Sequence, residues 1–82
     1  MKNREISRWK WVYVRMRGGL GFAFVSVPLD LTVSQLKVML GADPRSVVTV
    51  RSAFQPLAEN EPLYGRVTNY DTVYIEPYRR TL

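Results

Sequence analysis

The sequence LTVSQLKVMLG, residues 31–41, predicts the helix around which the rest of the chain is arranged. Thr32 is a favourable N-cap residue, and Gln35 stands three positions later, where its side chain can reach back to the Thr32 amide and complete a capping box. Apolar and polar residues then alternate at helical spacing, so one face should be buried and the other should face water. The apolar positions are Val33, Leu36, Met39 and Leu40, and the polar positions are Ser34, Gln35 and Lys37.

The end of this helix is also marked in the sequence. Gly41 can adopt the left-handed conformation that closes a helix, and Pro44 prevents the helix from resuming. The predicted helix therefore has only about two turns, or roughly 12 Å at 1.5 Å per residue. Because so short a helix is marginal by itself, we expect it to be stabilised by packing on a sheet.

Four stretches with strand-like alternation or β-branched residues surround the helix. They span residues 9–17, 22–27, 47–51 and 72–76, with a glycine-rich turn at 18–21 between the first two. Residues 58–62, AENEP, read as a polar surface loop in which Glu59 and Glu61 should be solvated, and residues 63–67 as a single 3₁₀ or helical turn. The order of hairpin, helix, strand and strand predicts an α+β fold of the β-grasp type, with a mixed four- to five-stranded sheet packed on one short helix.

Length and composition limit the classes of function. The 82 residues suit one small domain, which we place at residues 9–78, after a flexible basic arm at 1–8 and before a basic tail at 79–82. The chain has neither cysteine nor histidine, so thiolate sites, disulfides and the commonest general base and metal ligand are excluded. We therefore expect no enzyme activity, no metal and no cofactor. The sequence shows no signal peptide and no apolar run long enough for a membrane span, which predicts an intracellular protein.

The net charge of +5 is unevenly distributed. Half of the 12 basic residues lie in the first seventeen positions, which suggests an anionic partner, although a solubilising arm would explain the same pattern. These residues are Lys2, Arg4, Arg8, Lys10, Arg15 and Arg17.

From about Trp11 to Tyr78 the chain resembles ubiquitin and its relatives. The segment VPLDLTVSQLKVML, residues 27–40, is similar to the passage in which a strand leads through a proline into a Thr-capped helix, and PLAENEPLYGRVTNYDTVYIEP, residues 56–77, is similar to the last third of ubiquitin. The C-terminal YRRTL has no Gly-Gly, and Arg51 and Tyr74 occupy positions similar to ubiquitin's apolar recognition patch. The resemblance therefore implies a non-conjugating ubiquitin-like domain that serves as a docking module.

A shorter resemblance concerns RNA recognition motifs. GFAFVSV, residues 21–27, is similar to their RNP1 sequence, and residues 12–14 are similar to RNP2, so that Tyr13, Phe22 and Phe24 match base-stacking aromatics. The predicted order of elements opposes that fold, because those two motifs require a helix between their strands, whereas here only a glycine turn separates them.

The predicted sheet has one face on the helix and one face in solvent, and the solvent face holds the candidate site. Five aromatic residues and three arginines are more than a solvated face should carry. Three interpretations remain open: a docking surface for a protein partner, a stacking platform for single-stranded RNA or DNA, and a face covered by the arm, the tail or a second copy of the chain in a homodimer. The candidate residues are Trp11, Tyr13, Arg15, Arg17, Phe22, Phe24, Arg51 and Tyr74.

Overall fold

The computed structural model describes residues 9–17, 19–50 and 55–77. The predicted arm at 1–8, the tail at 79–82 and Arg51 lie outside the described residues. Four strands form one sheet: β1 (Trp9–Met16), β2 (Ala23–Pro28), β3 (Val47–Val50) and β4 (Thr72–Glu76). The helix α1 spans Val33–Met39, and a 3₁₀ turn spans Tyr64–Arg66.

The sheet has the order β2-β1-β4-β3. β1 runs parallel to β4 and antiparallel to β2, while β3 runs antiparallel to β4. The two central strands are therefore the first and the last of the chain, which is the mixed arrangement that the order of elements predicted. For the described residues, the α+β class, a mixed sheet within the predicted range of four to five strands and one short helix are confirmed.

Residues of both sheet and helix build one core between them. Alternation places every second residue of β1, β3 and β4 under α1, as predicted, and the 3₁₀ turn closes one end. The buried apolar residues are Val12, Val14, Val27, Val33, Leu36, Val48, Val50, Leu57, Leu63, Val67, Val73 and Ile75. Ala23 and Val25 point the same way but are only half-buried, because β2 is an edge strand.

Two apolar residues at the ends of their elements are exposed. Met16 retains 43% of its accessible surface because it lies at the end of β1, opposite Ile75, where it borders a cleft. Met39 retains 53% because α1 ends there after only two turns.

Both predicted ends of α1 are confirmed. The Gln35 amide donates to the Thr32 hydroxyl at 3.1 Å, and the Thr32 amide donates to Gln35 Oε1 at 2.9 Å, which is the reciprocal capping box. At the other end Gly41 has φ +69°, and the Ala42 amide donates to the Lys37 carbonyl at 2.9 Å. The helix thus closes in a Schellman motif, so its limits are defined locally.

The capping box should contribute measurably to stability because α1 has few turns to stabilise itself. We expect Thr32→Ala to lower the free energy of unfolding by about 1 kcal/mol, since the first turn loses its side-chain acceptor. Chemical denaturation followed by circular dichroism measures this change. Ser34→Ala, on the exposed side of the same turn, is the matched control and should change stability by less than about 0.5 kcal/mol. Equal effects of the two variants would contradict a specific role for the cap.

The largest error of the sequence interpretation concerns Lys37, which is buried rather than solvent-facing. Only 2% of its surface is exposed, and its Nζ donates to three oxygens at 2.7 Å: the Pro44 carbonyl, the Ser46 carbonyl and Glu59 Oε2. The chain between α1 and β3 folds back against the helix and presents these carbonyls to the ammonium group. A buried charge is tolerated when it is paired and hydrogen-bonded, and both conditions hold here.

The two loop glutamates form ion pairs that the sequence did not predict, although the Glu59 side chain is 55% exposed, as expected of a solvated loop residue. Glu59 pairs with Lys37, and Glu61 forms an ion pair with Arg66 in the 3₁₀ turn. The Arg66 side chain lowers the pKa of Glu61 through its hydrogen bond to the carboxylate. Both carboxylates therefore attach the 58–62 loop to other elements of the domain.

Candidate functional site

Five aromatic side chains come together on the face of the sheet opposite α1. Odd-numbered residues of β1 point to this side because the even-numbered ones, such as Val12, fill the core. The β1–β2 register places Tyr13 directly opposite Phe24, so their rings meet across the strands. We call the cluster the ring face and define it by Trp11, Tyr13, Phe22, Phe24 and Tyr70.

Phe24 is the centre of the ring face. Its ring stacks on Trp11 at a centroid distance of 5.0 Å and contacts Tyr13 at 4.9 Å. It lies nearly parallel to Tyr70, with an interplanar angle of 6° at 6.3 Å. Phe22, which precedes β2, meets the edge of Tyr13 at 5.3 Å. These separations are those of favourable aromatic pairs, so the rings hold one another in place.

Mutual contact does not bury this cluster. The exposed fractions are 39% for Trp11, 64% for Phe22, 46% for Phe24 and 65% for Tyr70, while Tyr13 is half-buried. No other described segment covers the rings. The result is a contiguous aromatic surface of preordered side chains facing solvent.

Tyr70 was not among the predicted site residues. It lies in the turn before β4 with φ +67°, and its amide donates to the Trp11 carbonyl. The neighbouring Asn69 accepts a hydrogen bond from the Trp11 amide at 2.8 Å. Alternation could not have found Tyr70, since a turn residue has no strand period; only the attachment of the turn to β1 brings its ring to the cluster.

The predicted arginines form a second group beside the rings. Arg17 lies over the ring of Tyr74 at 4.6 Å and pairs with Glu76 at 3.1 Å. Arg15 lies opposite Tyr74 in the β1–β4 register and is exposed. The structure thus brings Tyr74, Arg15 and Arg17 together at one end of the face, and only Arg51 lies outside the described residues.

Beneath Arg17 the end of the sheet forms an open cleft of about 310 Å³. Met16, Ile75 and Pro77 supply its apolar wall, and Asp43 and Ser46 supply the polar rim. Among the described residues there is no cluster of three or more histidine, cysteine or acidic side chains that could hold a metal ion. No helix in the described part of the chain is long and apolar enough to cross a membrane.

Comparison with solved structures identifies the fold. The chain is similar to the C-terminal ubiquitin-like domain of mouse tubulin-specific chaperone e, with a TM-score of 0.70 and 11% identity over 100% of this chain and 99% of that one. It is also similar to a ubiquitin from Caldiarchaeum subterraneum, with a TM-score of 0.64 and 18% identity over 90% and 96% of the two chains. A chain in a complex of toluene 4-monooxygenase is similar as well, with a TM-score of 0.64 and 11% identity over 83% of this chain and 96% of that one.

These similarities define the class of structure: the chain has the ubiquitin-like β-grasp fold, as its sequence predicted. No protein-family model matches the sequence, and no curated protein matches it. At identities of 11% to 18% the solved structures establish the fold, and the function must be argued from the surface of this chain.

Proposed function

We propose that this domain is a non-catalytic docking module that binds a protein partner through the ring face. The observation that carries the proposal is a cluster of five mutually packed rings, four of them exposed, on one side of the sheet. Trp, Tyr and Arg are the residue types that contribute most to binding energy at protein interfaces, and the ring face is bordered by Arg15 and Arg17. A preordered cluster also loses little side-chain entropy when a partner binds.

A docking function without catalysis agrees with the residue types present. The chain has no histidine or cysteine, and four of the described acidic side chains, Asp43, Glu59, Glu61 and Glu76, are engaged in ion pairs. No nucleophile with an adjacent base can be assembled from them. Similar structures include a domain of a chaperone and a chain of an enzyme complex. We infer a comparable setting here, an intracellular assembly in which this domain supplies contacts.

The alternative function, binding of single-stranded RNA or DNA, rests on the same surface. Tyr70 and Phe24 present flat, nearly parallel rings, and the exposed Arg15 lies on the same face two residues after Tyr13, where it could contact a phosphate. Stacking of a base on an aromatic ring contributes about 1 to 3 kcal/mol to the binding free energy. It occurs with every type of base, so it does not require a particular nucleotide sequence. The net charge of +5 favours an anionic ligand.

A fluorescence titration separates the two functions. If the docking proposal is correct, mixed-sequence single-stranded RNA and DNA should leave the tryptophan emission unchanged at both low and moderate salt. Saturable quenching that weakens steeply with salt would instead place bases on Trp11 and establish the nucleic-acid function, because neutralised phosphates release counterions. Trp11→Phe, which keeps an aromatic ring at this position, is the control that assigns any quenching to Trp11 rather than Trp9.

A further inference from the structure

The direction of the main-chain groups of β1 determines which side of β2 is used within the domain. The Tyr13 amide donates to the Asp71 carbonyl at 2.9 Å, so the odd-numbered residues of β1 turn their main-chain groups toward β4. Main-chain groups alternate along a strand, and the even-numbered residues therefore pair with β2. In the observed register, Val12 is hydrogen-bonded to Val25. The odd-numbered residues of β2 are thus the ones bonded to β1.

It follows that Phe24 and Ser26 direct their N–H and C=O groups away from β1, toward the outer edge of the sheet. No main-chain hydrogen bond from another described segment reaches either residue. The opposite edge differs, because there the Leu57 amide donates to the Val48 carbonyl at 2.8 Å. The Leu57 bond occupies only part of the β3 edge, whereas the outer side of β2 receives no main-chain bond from any described segment.

This edge lacks the features that usually prevent strands from pairing with other chains. Residues 19–29, GLGFAFVSVPL, contain no charged side chain, and the single proline lies at the end of β2. Native proteins blunt an open edge with charges, bulges or prolines within the strand. Large apolar side chains are also exposed along it: Leu20, Phe22, Phe24 and Leu29. An uncharged, apolar and open edge of this kind is suited to main-chain pairing.

We propose that β2 pairs with β2 of a second copy of this chain, antiparallel and about a two-fold axis at Val25. Phe24 of each copy then exchanges two main-chain hydrogen bonds with Ser26 of the other, which makes four bonds in all. The contact is isologous, so both copies use the same residues and the assembly closes as a dimer. The two four-stranded sheets become one continuous sheet of eight strands.

The side chains explain why a second copy is the occupant. Ser26 lies opposite Trp11 within the domain, and its small side chain leaves room for Phe24 of the second copy on its other side. The ring faces of the two copies then join across the axis. On the opposite side of the sheet the two half-buried Val25 side chains meet. The same register brings the exposed Leu20 of one copy close to Leu29 of the other.

This pairing uses main-chain groups and does not require that the ring face bind another protein. Sedimentation velocity of the purified protein alone tests it, over concentrations from about 1 µM to about 1 mM. The expected result is a reversible dimer. In amide hydrogen exchange followed by NMR, Phe24 and Ser26 should become protected as the concentration rises, since only the dimer bonds them. A protein that stays monomeric over the whole range would overturn the proposal.

Ser26→Pro is the decisive variant, because it removes an outward N–H and leaves every bond between β1 and β2 intact. Proline is accepted on edge strands where the N–H faces solvent. It removes two of the four bonds in the dimer, so we expect the dissociation constant to rise at least about thirtyfold. Ser26→Ala, the matched control, keeps the N–H and should dimerise as the wild type does.

A folded Ser26→Pro variant that dimerises like the wild type would also overturn the proposal, since the dimer would then use another surface. Circular dichroism verifies folding. Should the proline variant not fold, Ser26→Lys serves the same purpose by placing a charge at the edge while retaining the amide. Loss of the dimer in a folded Ser26→Lys variant supports the pairing, and an unchanged dimer overturns it.

Discussion

Replacing Lys37 with alanine is expected to lower the free energy of unfolding by about 3 kcal/mol. The change removes an ammonium group that bonds three oxygens, and it leaves the Pro44 and Ser46 carbonyls without their donor. Removing one partner of a buried pair typically costs about 3 to 5 kcal/mol. The lower figure applies because the side chain of Glu59 is 55% exposed, so water can solvate the carboxylate that remains. Urea denaturation measures the loss.

One further variant separates the contributions of charge and packing to this loss of stability, and a second serves as the control. Lys37→Met keeps the apolar stem and removes the charge, so any difference from Lys37→Ala reports packing of the methylene groups. Val38→Ala, at the adjacent helix position that is 76% exposed, is the control and should change stability by less than about 0.5 kcal/mol. If Lys37→Ala unfolds at the same urea concentration as the wild type, the buried ammonium contributes nothing to the fold.

Replacing Phe24 with alanine is expected to weaken partner binding at least about thirtyfold while the domain remains folded, because truncating a central aromatic anchor costs about 2 kcal/mol or more. Phe24 is the ring that contacts Trp11, Tyr13 and Tyr70, so its removal disorganises the whole ring face. Trp11→Ala should act similarly. Because both rings lie outside the core, both variants should still fold cooperatively, with the free energy of unfolding lowered by about 1 kcal/mol for each ring contact that is lost.

The measurement is affinity capture with immobilised domain, followed by titration of the captured partner in purified form. Met39→Ala is the matched control: it truncates an exposed apolar residue on the helix side, and binding should be retained. Equal affinity of the wild type and both ring variants would refute docking through the ring face. Unfolding of both variants would show that these rings stabilise the domain instead.

Local patterns in the sequence were sufficient for most of the architecture. The capping box of Thr32 and Gln35 and the closing Gly41 defined α1, since each signal acts within one turn of chain. Strict alternation likewise identified β4, whose bounds match the prediction at both ends. The rings of Trp11, Tyr13, Phe22 and Phe24 were placed on one face because period-two alternation separates them from the core valines.

The same patterns gave a wrong prediction, or none, for residues whose surroundings are formed by a segment far away in the chain. Helical periodicity predicted that Lys37 faces solvent. The carbonyl groups that accept its hydrogen bonds belong to a later segment, and the helix sequence gives no information about where that segment lies. Tyr70 was overlooked for a related reason: the Asn69–Tyr70 turn reaches the ring face through hydrogen bonds to Trp11, which lies 58 residues away from Asn69 in the chain.

By itself the sequence determined the helix, the strands, their buried faces and the ubiquitin-like β-grasp fold, because short-range capping and periodic burial are encoded by neighbouring residues. Only the tertiary structure decided that Lys37 is an interior ion-pair partner, that Tyr70 completes the ring face, and that β2 presents an open edge. These properties follow from which strand lies beside which, and that order depends on packing between residues far apart in the chain.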